Sequence, residues 1–400
     1  MTTSSLSASA SASAPCITGW NHSKFGKLDA LDPEILIAEV ALAAIAHAGL
    51  TPADISSIHI GTFNGGFLQQ DFPSSLIFNG IPELRFTPAV RVENACATGS
   101  AAIHSGLQSI LSGQSRHALV IGYEKMSELA TAAVGDVLLK CSYVKEEAGI
   151  PGGFAGVFGN IAQAYFDRYG DQSDALAAIA AKNHKNGAVN PYAHMRKDLG
   201  FDFCRNVSEK NPFVAGPLKR TDCSLISDGA VAMIISAADV AKTMPRAVQF
   251  RSAVHVNDFL PLSKRDPTSF EGGSLAWKKA LAQSKLTLND LSLVETHDCF
   301  TIAELLEYEA MGLAEPGQGA RAILDGVTTK EGRLPINPSG GLKSKGHPIG
   351  ATGVSMHVMA AMQACHDAGE MQIPNARYVG VFNMGGAAVA NYVSILERIA

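Results

Sequence analysis

Apolar residues recur at helical spacing over residues 33–48, where Ile37, Val40, Ala41, Ala44, Ile45 and Ala48 share one face. Asp32 and Pro33 supply a start signal and Gly49 a stop. The short run Ile58-His59-Ile60-Gly61 then reads as a strand. The same succession returns later, with an apolar helical stretch over 274–284 followed by Leu293-Val294-Glu295-Thr296. A strand is expected from Pro88 to Val92, and a helix of small residues opens at Ala97-Thr98-Gly99. A further helix runs from Ile302 to Met311, and another opens at Ala351-Thr352-Gly353. Helices alternating with buried strands predict stacked α/β layers.

The repetition extends to the residues themselves. Leu50-Thr51-Pro52-Ala53-Asp54-Ile55-Ser56-Ser57-Ile58 matches Leu286-Thr287-Leu288-Asn289-Asp290-Leu291-Ser292-Leu293-Val294, with Leu, Thr, Asp and Ser identical. The Ala-Thr-Gly helix starts form a second pair of landmarks. Gly-Ala-rich strand entries at Asp228-Gly229-Ala230 and Gly385-Gly386-Ala387 form a third. Landmarks in one order make the chain a duplication. The last two stand about 130 residues apart in the first half and about 35 in the second. The first half therefore carries an insertion, placed at 125–215.

Composition narrows the class. With 400 residues, 46% of them hydrophobic and 17% charged, the chain is neither disordered nor a small disulfide scaffold. A net charge of −5 without a long Lys/Arg run argues against nucleic acid as a partner. No stretch reaches the roughly 18 apolar residues of a membrane span. Cysteines at 16, 96, 141, 204, 223, 299 and 365 include no Cys-x-x-Cys pair, so reduced thiols and a cytoplasmic setting are expected. Residues 2–14 hold only Thr, Ser, Leu and Ala, which reads as a disordered lead-in over 1–14 rather than a secretory or mitochondrial signal. Arg398-Ile399-Ala400 is not a peroxisomal signal.

Four segments carry chemistry. In Val92-Glu93-Asn94-Ala95-Cys96-Ala97-Thr98-Gly99-Ser100 a strand delivers Cys96 to a helix N-terminus, where backbone N–H groups favour a thiolate and serve an oxyanion. A buried inert cysteine is the equal alternative. In Thr296-His297-Asp298-Cys299-Phe300-Thr301, polar groups lie between an apolar strand and a helix. Asp298 as a helix cap, or a weak His/Cys zinc pair, weighs as much as catalysis there. Asn337-Pro338-Ser339-Gly340-Gly341-Leu342-Lys343-Ser344-Lys345-Gly346-His347-Pro348-Ile349-Gly350 holds His347 in a glycine-rich loop suited to acid/base work. Phe382-Asn383-Met384-Gly385-Gly386 is either a tight turn or a strand end presenting a backbone N–H. The glycine-rich stretch 152–159 reads as a flexible loop lining an acyl channel or a subunit contact. His104, His357 and His366 read as packing or surface residues. Cys16, Cys141, Cys204 and Cys365 receive no role.

Together these segments resemble the thiolase superfamily over essentially the whole chain after the lead-in. Asn94-Ala95-Cys96-Ala97-Thr98-Gly99-Ser100 is similar to the family's nucleophile motif, and Gly346-His347-Pro348-Ile349-Gly350-Ala351-Thr352-Gly353 to its catalytic-histidine motif. His297-Asp298-Cys299-Phe300 resembles the sterol carrier protein 2 type, where other thiolases have Asn-Glu-Ala-Phe. Asn383 occupies the position of a second catalytic cysteine, and Phe382 departs from the histidine common in this subtype.

The resemblance implies an α/β thiolase fold of duplicated βαβαβαββ halves in five αβαβα layers with an inserted loop domain. Residues 15–124 and 216–262 would form the first half, 125–215 the insertion and 263–400 the second half. It implies acyl transfer between a Cys96 thioester and CoA, with His347 assisting Cys96, Cys299 as the second acid/base thiol and His297 supporting the enolate. Cys96, Gly385, His347 and Asn383 would form the oxyanion sites. Ser224 matches a pantetheine-contact position, and Lys219 and Arg220 are charge partners for CoA phosphates or a solvated basic pair. CoA and acyl-CoA would be substrates, with no metal or redox cofactor. Homodimers or homotetramers and a small OB-fold companion subunit are family expectations. The rival readings are a ketosynthase-like condensing enzyme, which Cys299 argues against, a retro-aldolase, and an acyl-CoA-binding scaffold.

Overall fold

The computed structural model describes residues 14–400; the expected lead-in, apart from its last residue, lies outside the described residues. A nine-stranded mixed sheet dominates the molecule. Its strands are β1 (Cys16–His22), β2 (Ser57–Gly61), β3 (Ala89–Val92), β4 (His117–Glu124), β5 (Gly229–Ser236), β6 (Val248–Asn257), β7 (Leu293–Thr296), β8 (Tyr378–Gly385) and β9 (Ala390–Arg398). The order across the sheet is β3-β2-β4-β5-β1-β6-β9-β8-β7.

The duplication is visible in this order. From the edge inward, β2 runs parallel to β3 and β4, β4 antiparallel to β5, and β5 antiparallel to β1. In the second half β7 runs parallel to β8, β8 antiparallel to β9, and β9 antiparallel to β6. The counterpart of β3 shrinks to a single parallel bridge, Val294 to Ile336. Among the described residues the half-sheets pair where Cys16 faces Gln249 and Ile17 faces Val248, next to a bond from Phe250 N to Pro15 O.

The repeated nine-residue segment makes the same turn twice. Thr51 N and Oγ1 both donate to Asp54 Oδ2 at 2.8 Å, and Thr287 N and Oγ1 donate to Asp290 Oδ2 at 2.7 and 2.6 Å. The serine that follows ties each turn to the next parallel strand, since Ser56 N donates to His117 O and Ser292 N to Tyr378 O.

One boundary differs from the expectation. The resemblance puts segment 216–262 in the first half, yet β6 pairs along its length with β9. The pairing divides the halves between β5 and β6. Two apolar strands stand close together there, so the hydrophobic pattern crosses the division without a signal.

The helices make the layers. They are α1 (Pro33–His47), α2 (Thr98–Leu111), α3 (Gly153–Tyr169), α4 (Ser173–Ala188), α5 (Glu271–Ser284), α6 (Thr301–Ala310) and α7 (Ile349–Ala364), with shorter ones between. Helix α1 covers β1 and β5 so closely that a Cβ on Gly19 would come within 2.8 Å of Ala44 O. Helix α5 covers β6 and β9, with Trp277 edge-on to Phe382 at 6.3 Å. Helices α2 and α7 lie against each other between the half-sheets. A Cβ on Gly99 would sit 2.7 Å from Val354 N, and one on Gly353 would sit 2.2 Å from Ser100 N. Only glycine lets two helix starts meet backbone to backbone.

The insertion is mainly helical. Its glycine-rich stretch is not a flexible loop but the beginning of α3. A Cβ on Gly159 would press at 2.9 Å on the backbone of Ala215, so small residues serve close packing against the hairpin formed by 213–219. Among the described residues no helix is long and apolar enough to cross a membrane.

Candidate active site

Cys96 lies on a forced turn between β3 and α2. Ala95 holds φ at +50°, a conformation rare outside glycine. The turn is tied by Ala97 N to Asn94 O at 3.0 Å, Thr98 N to Ala95 O at 3.1 Å, and Asn94 N to Thr98 Oγ1 at 2.8 Å. The sulfur is left at the head of α2, and the residue is 2% exposed.

The second half supplies two imidazoles. A ring nitrogen of His297, one of His347 and the Cys96 sulfur all lie within 4.8 Å of one another. The rings stand nearly perpendicular, at 82° with centroids 5.0 Å apart. Their hydrogen bonds fix opposite tautomers. Asn383 Nδ2 donates to the Cys96 carbonyl at 3.2 Å and to His297 Nδ1 at 2.8 Å, while its Oδ1 accepts from Ser100 Oγ at 2.7 Å. A carbonyl only accepts, so the amide orientation is settled and His297 Nδ1 is an acceptor. The His297 proton is therefore on Nε2. For His347, Thr352 Oγ1 donates its one proton to Pro348 O at 3.0 Å and lies 2.7 Å from His347 Nδ1. That hydroxyl oxygen must accept from Nδ1–H, leaving His347 Nε2 as a lone pair. Both Nε2 atoms are buried and meet no nitrogen or oxygen partner among the described residues; they face the Cys96 sulfur. One imidazole presents a proton and the other a base.

The thiols are biased in opposite directions. Cys96 is held well below the usual cysteine range, first by a hydrogen bond from the Cys141 thiol, against the cost of burial, and then by His297 and His347. Cys299 is pushed well above it, first by burial and then by the charges of Cys96, Glu307 and Asp298. Burial draws His297 down to about 4, so it is neutral at pH 7.

Asp298 does not cap the helix that follows it. Its carboxylate accepts Leu342 N at 2.5 Å, Lys343 N at 3.1 Å and Asn183 Nδ2 at 2.8 Å. It thus anchors the glycine-rich loop that ends in His347. Gly341, at φ +56°, passes so close that a Cβ would be 2.3 Å from Asp298 Oδ2. Behind it Glu304 accepts from Lys182 and from Asn183 Nδ2, and Thr296 Oγ1 donates to Glu307 at 2.6 Å. Asn183 and Lys182 belong to the insertion's α4, so all three parts of the chain build the site.

Comparison with known proteins then assigns the family. Residues 16–200 match the family described as thiolase, N-terminal domain, and residues 255–398 the one described as thiolase C-terminal domain-like. The chain belongs to the thiolase family. It is 33% identical to an acetyl-CoA acetyltransferase of Methanothermobacter thermautotrophicus over 96% of this chain and 99% of that one. It is 32% identical to human sterol carrier protein 2 over 93% of this chain and 70% of that protein. Among solved structures, an Ltp2-ChsH2(DUF35) aldolase superposes with a TM-score of 0.80 at 20% identity, covering 96% of this chain and 97% of that one. A monomeric SCP2-thiolase like protein from Mycobacterium smegmatis does so at 0.74 and 18%, over 96% of this chain and 77% of that one. These two show the fold.

Within this thiolase fold, Cys96, His297 and His347 come together, and the Cys96 charge reaches Cys299. Gly385 presses on the Cys96 turn, where a Cβ would be 2.5 Å from Asn94 O. Asn383, expected as an oxyanion donor, has both N–H groups committed to Cys96 O and His297 and so acts through His297. Phe382 points to the opposite face of the strand, onto Trp277, and does not shape the site. Lys219 is buried with its ammonium 3.2 Å from Asp222, so it is withheld from a CoA phosphate. Arg220 is exposed, and Ser224 N donates to Cys299 O at 2.9 Å. The spacing of Cys96, His297 and His347 would admit a metal ion, but the proton on His297 Nε2 removes that ligand. Sequence reasoning missed Cys141, which is buried in the same core cluster as Cys96 and helps to hold the Cys96 thiol low.

Proposed function

We propose that this chain is a thiolase-type acyltransferase that cleaves or forms the carbon–carbon bond of a 3-ketoacyl-CoA through an acyl group on Cys96. The observation that carries the reading is the pair of opposite tautomers around one low-pKa thiol, with a second, high-pKa thiol nearby.

In the thiolytic direction Cys96 gives its proton to His347 Nε2 and attacks the ketone carbon. Backbone N–H groups at Cys96 and Gly385 suit the resulting oxyanion. The carbon–carbon bond breaks, leaving an acyl thioester on Cys96 and the enolate of acetyl-CoA. His297 Nε2–H and protonated His347 stabilise the enolate oxygen, and Cys299 S–H protonates its carbon. CoA thiol, deprotonated by the Cys299 thiolate, then takes the acyl group and frees Cys96. The charge coupling makes the order self-consistent. While Cys96 is ionised it keeps Cys299 protonated, and acylation removes that charge so Cys299 is able to act as a base.

Arg220 and Ser224 are the proposed CoA contacts. A ketosynthase-like role is disfavoured because decarboxylative condensation has no step for Cys299. An aldolase role would leave Cys96 without work.

The test is intact mass after incubation with acetyl-CoA or acetoacetyl-CoA. Wild type and Cys299→Ala are expected to gain an acyl adduct that Cys96→Ala lacks, and Cys299→Ala to neither make nor split the carbon–carbon bond. An adduct on wild type without that chemistry would point to a required companion subunit or another acyl group. No adduct would sink the proposal in favour of a binding scaffold.

A further inference from the structure

A buried carboxylate with no part in the chemical steps bonds the first half to the start of α7. Glu124, the last residue of β4, is 1% exposed. Its Oε1 accepts Thr62 Oγ1 and Asn64 N, both at 2.9 Å, and its Oε2 accepts Phe63 N at 2.9 Å and Gly350 N at 3.0 Å. Three of these donors are amides, which only donate, so Glu124 is an acceptor toward both halves. Gly350 lies in the first turn of α7, where amides have no partner inside the helix. The amides of Ala351 and Thr352 turn back to Pro348 O, which fixes the shape of the turn but not its place. Gly350 N, bonded across to Glu124, fixes its place. The approach is close, since a Cβ on Gly350 would be 2.3 Å from Tyr123 O and one on Gly122 2.5 Å from Gly350 O.

The bonds run on to both reacting groups. In the same turn of α7, Thr352 Oγ1 holds His347 Nδ1 at 2.7 Å. In the first half, Arg91 of β3, the strand that leads to Cys96, donates to Thr62 O at 3.2 Å and to Phe63 O at 2.6 Å. Residues 62 and 63 thus give their carbonyls to the strand that delivers the nucleophile. Phe63 and Asn64 give their amides to the residue that grips the helix behind the base.

We propose that Glu124 is a positioning residue for the base, clamping the start of α7 to the first half so that His347 Nε2 stays beside the Cys96 sulfur. The proposal rests on reading Cys96 as the nucleophile and His347 as its base.

The test is the rate of iodoacetamide alkylation of Cys96 across pH 5 to 9 in the full chain, with the labelled peptide identified by mass and no acyl-CoA present. An imidazole beside the sulfur favours the thiolate, so displacing His347 raises the Cys96 pKa. Glu124→Ala is expected to move the acid limb upward by about one pH unit, slowing alkylation about tenfold on that limb. His347→Ala is expected to move it at least as far. With His347 already replaced, Glu124→Ala is expected to add nothing, because a residue that acts through His347 loses its effect with it. Glu124→Gln can keep its oxygen toward Phe63 N and Gly350 N and is expected to lie nearer wild type than alanine. Glu124→Asp, one methylene too short to span the gap, replaces the alanine variant if thermal melting shows that alanine does not fold. Coincident limbs for wild type and the shortened variant would overturn the proposal. So would a shift that persists in full without His347, His347→Ala leaving the limb in place, or glutamine moving as far as alanine. A limb that depends on Glu124 only while His347 is present, in a chain that gains no acyl adduct, would keep this inference and remove the functional reading alone.

Discussion

Asn383 does at the residue scale what no charged group could do in its place. One amide holds the nucleophile's carbonyl, fixes the His297 tautomer and is itself oriented by Ser100. Asn383→Ala is expected to lower carbon–carbon turnover by about 10²-fold, the lower end of what a positioned proton donor contributes. Acylation of Cys96, assayed by intact mass, should suffer less. Equal losses in both steps would mean that Asn383 serves the turn and not the imidazole. A second expectation follows from the coupled thiols. Because the Cys96 charge raises the Cys299 pKa, Cys96→Ala should lower it, and alkylation of Cys299 at pH 8 should quicken. An unchanged rate would separate the two sulfurs electrostatically. The residues legible in the sequence, Cys96, His297, Cys299 and His347, all sit in short polar or glycine-rich segments whose local chemistry is unusual. Cys141, between Lys140 and Ser142, carries no such local signal, and only the fold places it in the same buried cluster as Cys96. Lys219, expected as a phosphate partner or a solvated residue, instead pairs with Asp222 three residues on.

At the scale of elements, the glycines where α2 and α7 begin decide how close the two halves approach. Gly353→Ala would thrust a methyl to 2.2 Å from Ser100 N and 2.5 Å from Asn383 Oδ1. Overpacking of this kind costs about 1–3 kcal/mol, so chemical denaturation should show a loss of that size, and acylation should fall with it because Asn383 is displaced. Retained stability with retained activity would mean that the helix starts are free to part. Alternation along β8 explains Phe382 equally simply. Gly380 and Phe382 face α5, while Asn383 faces α7, so a change at 382 repacks the outer layer and leaves the site alone. Element types were readable from periodicity, and the repeated turn at Thr51 and Thr287 from identity. The β5–β6 division was not, because strand partners are chosen by tertiary pairing rather than by local pattern.

For the whole molecule, the narrow β1–β6 junction leaves α7, packed on α2 and on the first-half strands β4 and β5, as the main bond between halves. Amides of 101–107 and 354–361 are therefore expected to exchange with solvent at one shared slow rate, and Gly99→Ala to quicken both together. Exchange that quickens in one helix alone would show the halves opening independently. The layered order was legible because each half repeats it. The distribution of the site over both halves and the insertion was not, since no local pattern encodes a contact between distant segments.

The helix contact has a further meaning. Gly99 would strike the amide of Val354, and Gly353 that of Ser100; each residue meets the counterpart of its partner's neighbour. That reciprocity is the signature of a two-fold axis between identical subunits, here drawn inside one chain. In a true pair of identical copies every change is made twice, so both helix starts would have to carry the same chemistry. Fusion lifted that constraint. One copy keeps its threonine, Thr98, to brace a nucleophile, and the other uses Thr352 to brace a base. Equivalent places in the two halves thus serve unlike ends of a single asymmetric site.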